Sequence, residues 1–183
     1  MSYAEYLEAE RVAETRHEYL RGEVYAMAGG SPEHARLAAA VSGELRVALR
    51  DKPCAVFSSD LRVRIEETDR TTYPDVTVVC GERQVSVVDR DALTNPTLIV
   101  EILSDSTESD DRGEKFAHYR RIASLQEYVL VSQRARRIEV FRRTADGWTL
   151  HEAGPTETLQ LASIDATLSV DELYRDPLAS SVG

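Results

Sequence analysis

The sequence predicts an α/β (α+β) fold in which a central mixed β-sheet is flanked by helices. Three apolar segments, 75–80, 97–103 and 127–131, are rich in branched side chains and are typical of buried strands. Residues 33–50 carry leucine or valine at intervals of four, which predicts an amphipathic helix. Helices and strands therefore alternate along the chain, an order that favours a sheet covered by helices.

The first half of the chain is divided by glycine and proline. A charged helical segment ends before Gly22, and a second helix begins after the turn that contains Pro32. Between residues 61 and 66, apolar and charged side chains alternate with the period of a half-exposed strand. The predicted elements are a helical segment over 3–19, a strand over 23–28, a helix over 33–50, strands over 55–57 and 61–66, a polar turn over 68–73, a buried strand over 75–80 and a connection over 81–94.

The second half repeats the pattern of strand, helix and strands. Capping residues over 104–111 precede a predicted helix over 112–124, whose inner face is expected to carry Phe116, Tyr119, Ile122 and Ala123. A hairpin is predicted from the alternating strand 138–141, the Asp-Gly turn and the strand 148–151, and these strands offer a sheet edge for dimer contacts. A short helix over 170–174 is expected to close the fold.

Length and composition bound the function. With 183 residues the chain fits one domain over 1–183, and 22 basic against 32 acidic residues give a net charge of −10. This charge excludes a protein that holds nucleic acid mainly through a basic surface, but it leaves room for a nuclease, because catalytic carboxylates add negative charge. The sequence has no apolar run long enough to span a membrane and no secretory signal, which predicts a cytoplasmic protein without membrane contact. In that reducing compartment Cys54 and Cys80 are interpreted as small buried hydrophobic residues.

Glu101 is the residue that least fits its surroundings, because it interrupts the apolar run 98–103. A buried carboxylate must be ion-paired, protonated or bound to a metal, since burial of a lone charge is costly. Asp75 similarly begins a buried strand directly after Pro74. If the two strands are neighbours, the carboxylates could share a hard cation such as Mg²⁺ or Mn²⁺. The alternative for Glu101 is an exposed strand-end position or an ion pair with an arginine, and the alternative for Asp75 is an ordinary turn residue before a strand.

Two further residues complete the candidate site. Lys115 lies on the helix after Glu101, from which its ammonium group could reach a phosphate; a solvated lysine is the alternative. Glu18, at the end of the first helical segment, could supply another ligand, with Glu23 on the following strand as its rival. The four histidines are scattered in the sequence, which predicts no histidine metal site.

These segments together resemble the Uma2 family, also called DUF820, which is grouped with the PD-(D/E)XK restriction-endonuclease-like fold. The resemblance covers about residues 4–175 and is carried by segments 18–24, 74–76, 100–104, 111–115 with Tyr119, 127–131 and 137–141.

The resemblance implies a restriction-endonuclease-like core with a divalent-metal site at one sheet edge. Asp75 and Glu101 match the two acids of that site, Glu18 matches the acid that precedes them, and the main-chain carbonyl of Ile102 is a further implied ligand. The superfamily lysine usually lies two residues after the second acid, where this chain has Leu103. The resemblance assigns the role of the lysine to Lys115.

A metal-dependent endonuclease that hydrolyses nucleic acid, with DNA as the expected substrate, is the leading hypothesis. A catalytically inactive interaction module, for example a homodimer, and a metal-dependent hydrolase of a smaller phosphate ester are the alternatives. The densest basic cluster is interpreted either as a nucleic-acid contact or as a solvated hairpin surface, the second being slightly favoured; it consists of Arg134, Arg136, Arg137, Arg142 and Arg143.

Overall fold

The computed structural model describes residues 1–27 and 29–179. Within them the elements are α1 (Tyr3–Glu10), β1 (His17–Leu20), β2 (Glu23–Ala26), α2 (Pro32–Ala48), β3 (Cys54–Ser58), β4 (Arg62–Ile65), β5 (Arg70–Thr72), β6 (Val76–Cys80), β7 (Ala92–Leu93), β8 (Leu98–Leu103), α3 (Glu108–Arg112), α4 (Glu114–Tyr119), β9 (Glu127–Ser132), β10 (Ile138–Thr144), β11 (Gly147–Ala153), β12 (Thr158–Leu161), β13 (Ala166–Ser169) and α5 (Val170–Leu173). Ala28, the predicted end of the first strand, and residues 180–183 of the predicted domain lie outside the described residues.

A six-stranded mixed sheet forms the centre of the molecule, as the sequence predicts. Its order is β11-β10-β9-β8-β6-β3, with β8 and β9 parallel and the remaining neighbours antiparallel. Helix α2 covers one face, where Leu37 and Val41 belong to the same apolar cluster as Val100 of β8. Helix α4 covers the other face, where Phe116 and Tyr119 cluster with residues such as Ile99. Alternation along β8 therefore directs Glu101 toward α4.

A second sheet, ordered β2-β1-β5-β4-β7, shows where the sequence-based assignments are wrong. Residues 17–19 belong to the predicted helical segment and 70–72 to the predicted polar turn, yet they lie in two strands, β1 and β5, that pair with each other. The chain turns back after α1 because Tyr6 donates a hydrogen bond to the His17 carbonyl at 2.7 Å and Glu10 accepts one from the His17 N–H at 2.9 Å. These contacts join residues far apart in the local pattern, so a periodicity argument does not detect them.

Strand β4 is also more enclosed than its alternating pattern indicates. Arg64 was expected to face solvent but is 8% exposed, with its guanidinium 3.9 Å from the centre of the Tyr3 ring. Stacking on an aromatic face lets an arginine lie in a mainly apolar environment. The N-terminal helix thus covers this part of the second sheet.

The predicted helix over 112–124 is shorter in the structure, where only α4 forms its middle part. Helix α3 lies before it, in the segment expected to hold capping residues, and the two helices meet at Gly113. The Gly113 backbone, with φ −108° and ψ −95°, is not helical and redirects the chain. Phe116, Tyr119 and Ile122 are buried as predicted, but Ala123 lies beyond α4 and is exposed. The break aims α4 at the end of β8 that carries Glu101.

The two cysteines differ from the prediction, because Cys54 and Cys80 form a disulfide bond. They lie directly opposite each other in the antiparallel pair of β3 and β6, and each is only partly buried. Antiparallel register brings such opposite side chains close together.

The edge strand β11 is the place where the sequence predicts homodimer contacts, and this stays a prediction. Strand β11 lies at an edge of the six-stranded sheet, and Leu150 within it is half exposed, so the edge proposed for homodimer contacts is accessible. Among the described residues, no helix combines the length and the apolar character needed to cross a membrane.

Candidate functional site

The structure brings Asp75 and Glu101 together at the boundary of two neighbouring strands. Val76 of β6 pairs with Val100 of β8, so Asp75 lies opposite Glu101 in the antiparallel register. The Ile102 N–H donates to Asp75 Oδ2 at 2.7 Å, and the Asp75 N–H is 3.4 Å from Glu101 Oε2. Backbone groups of each strand therefore hold the carboxylate of the other.

Lys115 lies at the centre of three carboxylates. From α4 its Nζ is 3.1 Å from Glu101 Oε1, 3.2 Å from Glu18 Oε1 and 3.3 Å from Asp111 Oδ1. The side chain is 9% exposed, so a solvated surface lysine, the alternative raised by the sequence, does not describe it. The structure thus places Lys115 beside Glu101, as the sequence predicts, and adds Asp111 to the group.

Glu18 reaches this cluster from strand β1, not from a helix. Its other oxygen, Oε2, is 3.4 Å from Arg70 Nη2, and Arg70 also binds Asp110 at 3.1 Å. Glu23 is exposed and accepts a hydrogen bond from the Tyr25 hydroxyl. Of the two acids that the sequence offered, the structure brings Glu18 to Lys115.

Burial and charge act against each other in this cluster. Burial raises the pKa of Glu101 to about 8, while the Lys115 ammonium group opposes the rise. Burial also raises the pKa of Asp111, again against the effect of Lys115. Burial alone would lower the pKa of Lys115, but the carboxylates of Glu101, Glu18 and Asp111 outweigh it and raise that pKa well above its ordinary value. Lys115 therefore stays charged within an acidic, poorly hydrated site.

Two tyrosines contact acidic residues of the cluster. The Tyr119 hydroxyl donates to Glu101 Oε1 at 2.8 Å and lies 3.0 Å from Thr72 Oγ1. The Tyr128 hydroxyl donates to the main-chain carbonyl of Asp111 at 3.0 Å. Both rings are buried, so they fix the site from beneath.

His34 is a site residue that the sequence analysis missed. It lies in the first turn of α2, and its Nε2 is 3.2 Å from Asp75 Oδ2. The hydrogen bond to Asp75 raises the pKa of His34, against the opposing effect of burial. The contact joins residues 41 positions apart, so no local pattern predicts it. The one signal in the sequence is that His34 follows Pro-Glu at the start of the helix.

A cavity of about 690 Å³ opens over the cluster. Its lining includes the four predicted side chains, His34 and the exposed ring of Tyr25. A cavity of this size is in the range that accommodates a small ligand or one unit of a polymer. The acids, the lysine and an apolar wall therefore meet in one accessible space.

The donor set is chemically suited to a hard divalent cation. Asp75 uses Oδ2 for Ile102 and His34, and among residues 1–27 and 29–179 no hydrogen bond engages its Oδ1. Glu101 Oε2 has only the long contact with the Asp75 N–H. These oxygens, with the Ile102 carbonyl, are ligand types that Mg²⁺ and Mn²⁺ prefer. Over the described part of the chain no three acid, histidine or cysteine side chains are arranged to hold a metal, and Glu18 is directed to Lys115 and Arg70.

The arginines of the β9–β11 region do not form a free basic surface. Arg134 pairs with Asp105 at 2.7 Å, Arg136 with Asp171 at 2.7 Å and Arg137 with Glu139 at 3.0 Å. The other two arginines act within the fold: Arg142 pairs with Glu127 at 2.8 Å, and Arg143 donates to main-chain carbonyls. These contacts favour the interpretation as a hairpin surface.

The fold of the chain is restriction-endonuclease-like, a mixed sheet flanked by helices. A crystal structure from Anabaena variabilis, described as "a putative nuclease belonging to DUF820", has a TM-score of 0.78 to this chain. The match covers 95% of this chain and 97% of that one, at 18% sequence identity, and it shows the fold.

The chain belongs to the Uma2 family, as the sequence predicts. The family model, described as "Putative restriction endonuclease", matches residues 3–171. Two relatives from Synechocystis sp. are named "Uncharacterized protein slr1290", 37% identical over 96% of this chain and 92% of that protein, and "Uncharacterized protein sll1609", 38% identical over 83% and 86%.

Proposed function

We propose that this protein is a metal-dependent nuclease that hydrolyses phosphodiester bonds of nucleic acid, with DNA as the expected substrate. One observation carries the proposal: Asp75 and Glu101 adjoin on neighbouring strands, with Lys115 Nζ 3.1 Å from Glu101, at the base of an accessible cavity. Membership of a family described as "Putative restriction endonuclease" supports the same reaction class.

Asp75, Glu101 and the carbonyl of Ile102 would hold Mg²⁺ or Mn²⁺. When bound, such an ion supplies Lewis-acid chemistry that polarises a phosphodiester toward attack by water. It would also offset the repulsion between the two carboxylates. Glu18, which the sequence analysis proposed as a third ligand, instead contacts Lys115 and so supports the site through the lysine.

The side chains of the protein perform the remaining tasks. Lys115 presents a charged ammonium group to the cavity, where it can stabilise negative charge on a phosphate oxygen during hydrolysis. Glu18 and Asp111 hold that ammonium group in place. Tyr119 orients Glu101, and His34 with the Ile102 N–H orients Asp75.

The test is a calorimetric titration of chelator-treated protein with Mn²⁺, followed by cleavage assays on labelled DNA and RNA. We expect the wild type to bind Mn²⁺ and to cleave, and Asp75→Asn and Glu101→Gln to lose both properties while remaining folded. Asp146→Asn and Glu44→Gln make the same chemical changes at exposed positions and serve as controls that retain both.

Other outcomes decide between the alternatives. Wild-type protein that binds Mn²⁺ and hydrolyses only small phosphate diesters would replace the nuclease proposal with the smaller-substrate hydrolase. An absence of metal binding and cleavage, with DNA present during the titration, would leave the interaction module in its place.

A further inference from the structure

Tyr25 stands apart from every other aromatic residue of the chain. The eight tyrosines, three phenylalanines and one tryptophan all lie within the described residues. Tyr25 is 49% exposed, and the other rings are buried or partly buried. An exposed aromatic ring offers a large contact area to a ligand or partner that reaches it.

The sheet register places this ring at the candidate site. Tyr25 of β2 lies directly opposite Glu18 of β1, and directly opposite residues project from the same face with Cβ atoms roughly 5 Å apart. Glu18 in turn contacts Lys115 at 3.2 Å, and all three residues line the cavity. The aromatic ring is thus a neighbour of the charged cluster.

The surroundings of Tyr25 leave the ring open to a ligand. Strand β2 is the edge of its sheet, so β1 is its single strand neighbour, and the Tyr25 hydroxyl is hydrogen-bonded to Glu23 on the same strand. Ala26 and Met27 continue the apolar lining of the cavity beside it. The hydroxyl is anchored at the strand while about half of the residue stays exposed.

The charge distribution favours unpaired over duplex nucleic acid at the side of the cavity that Tyr25 lines. The net charge is −10, and four arginines of the β9–β11 region are each paired with an acid, which offsets their charge toward the backbone of a long duplex. Bases of a duplex are stacked on one another, whereas an unpaired base presents a face to an aromatic side chain.

We propose that Tyr25 is a stacking platform for an unpaired nucleobase next to the scissile phosphate, so that the substrate is single-stranded or locally unpaired nucleic acid. The inference rests on the proposed nuclease function and deepens it. Tyr25 binds the base, while the cluster around Lys115 addresses the adjoining phosphate.

The experiment compares cleavage of one labelled oligonucleotide, single-stranded and as a duplex, by the full chain with Mn²⁺. We expect the single strand to be preferred, Tyr25→Phe to stay within about twofold of wild type, and Tyr25→Ala to raise KM by about tenfold or more, the scale of one lost base–aromatic stack. Val24→Ala is the matched control, because Val24 is the exposed neighbour on the opposite face of the same strand.

A single abasic nucleotide moved along the strand makes the test specific. At one position it should raise KM for the wild type by a similar factor and leave KM of Tyr25→Ala unchanged, because the stack is already lost. Two results would overturn the stacking role while the nuclease function stands. In the first, the abasic nucleotide and Tyr25→Ala raise KM additively. In the second, Tyr25→Ala leaves KM unchanged and the enzyme cleaves the duplex as well as the single strand. An absence of cleavage for every nucleic acid would overturn the nuclease function itself.

Discussion

Two buried glutamates on adjacent parallel strands, Glu101 of β8 and Glu127 of β9, have opposite environments. Glu127 is fully buried and both of its oxygens are satisfied. Its Oε1 accepts from Arg142 at 2.8 Å and from the Ala162 N–H at 3.1 Å, while Oε2 accepts from the N–H and hydroxyl of Ser163. This carboxylate ties the strand to the C-terminal part of the chain.

Glu101 is almost as deeply buried, at 3% exposure, but its two oxygens are contacted unequally. Tyr119 and Lys115 contact its Oε1, whereas Oε2 has the single long contact with the Asp75 N–H. Other acids surround it, and a cavity opens beside it. Burial alone thus does not separate the two acids. The weakly contacted oxygen and the neighbouring acids of Glu101 do separate them, and they support the role proposed for Glu101.

Replacement of each glutamate by glutamine tests the contrast between Glu127 and Glu101, and the larger effect is expected at Glu127. Glu127→Gln replaces two acceptor oxygens by one and leaves Arg142 without its charge partner, so we expect the free energy of unfolding to fall by about 3 kcal/mol. Urea denaturation measures the change, with Glu152→Gln on the exposed side of β11 as the control. A loss below about 1 kcal/mol would contradict the structural role of Glu127.

Removal of the Lys115 ammonium group, which contacts three carboxylates, should have the next largest effect. Lys115→Met leaves Glu101, Glu18 and Asp111 without their ammonium partner, and we expect about 2 kcal/mol of destabilisation at pH 8. At pH 5 the loss should be smaller, because the pKa values of Glu101 and Asp111 are already raised by burial and these acids can take up protons. Denaturation at both pH values tests this, and an equal loss at each would show that charge repulsion is not its cause.

Glu101→Gln should change stability less than either. The amide can still accept from Tyr119, and Lys115 keeps Glu18 and Asp111 as partners, so we expect the free energy of unfolding to stay within about 1 kcal/mol of wild type. The same urea denaturation provides the value. A loss as large as that of Glu127→Gln would place Glu101 among the structural acids and remove the contrast.

Local patterns in the sequence were sufficient to single out Asp75 and Glu101. Each acid adjoins or interrupts an apolar strand, but the pairing of the two strands was a condition that only the structure could supply. Lys115 and Glu18 were candidates with open alternatives, and the family resemblance favoured both. The sequence placed Glu18 in a helical segment, whereas it lies in β1.

Contacts between distant segments account for what the sequence could not predict. Glu18 lies on a strand because β1 pairs with β5. The sequence of β5 is polar and therefore predicts a turn, but its arginine and threonines are buried in the structure. His34 reaches Asp75 across two elements, and Cys54 meets Cys80 through strand register. None of these contacts produces a periodic pattern of apolar residues in the local sequence.

His118 sharpens the comparison from a third environment and should give the smallest effect. Its Nδ1 is buried without a hydrogen-bond partner among the residues that the structure describes, and its pKa is lowered by burial and then by Arg70. The unfolded chain therefore binds a proton more readily than the folded one, so stability present above about pH 6.5 should be lost as the pH falls below that value. His118→Gln removes this titration, and its free energy of unfolding, measured from pH 7.5 to pH 5, should fall less steeply than that of the wild type. Parallel curves for the two proteins would mean that the buried imidazole takes up its proton as easily as in the unfolded chain, and that its unpartnered nitrogen has no effect on the pH dependence of stability.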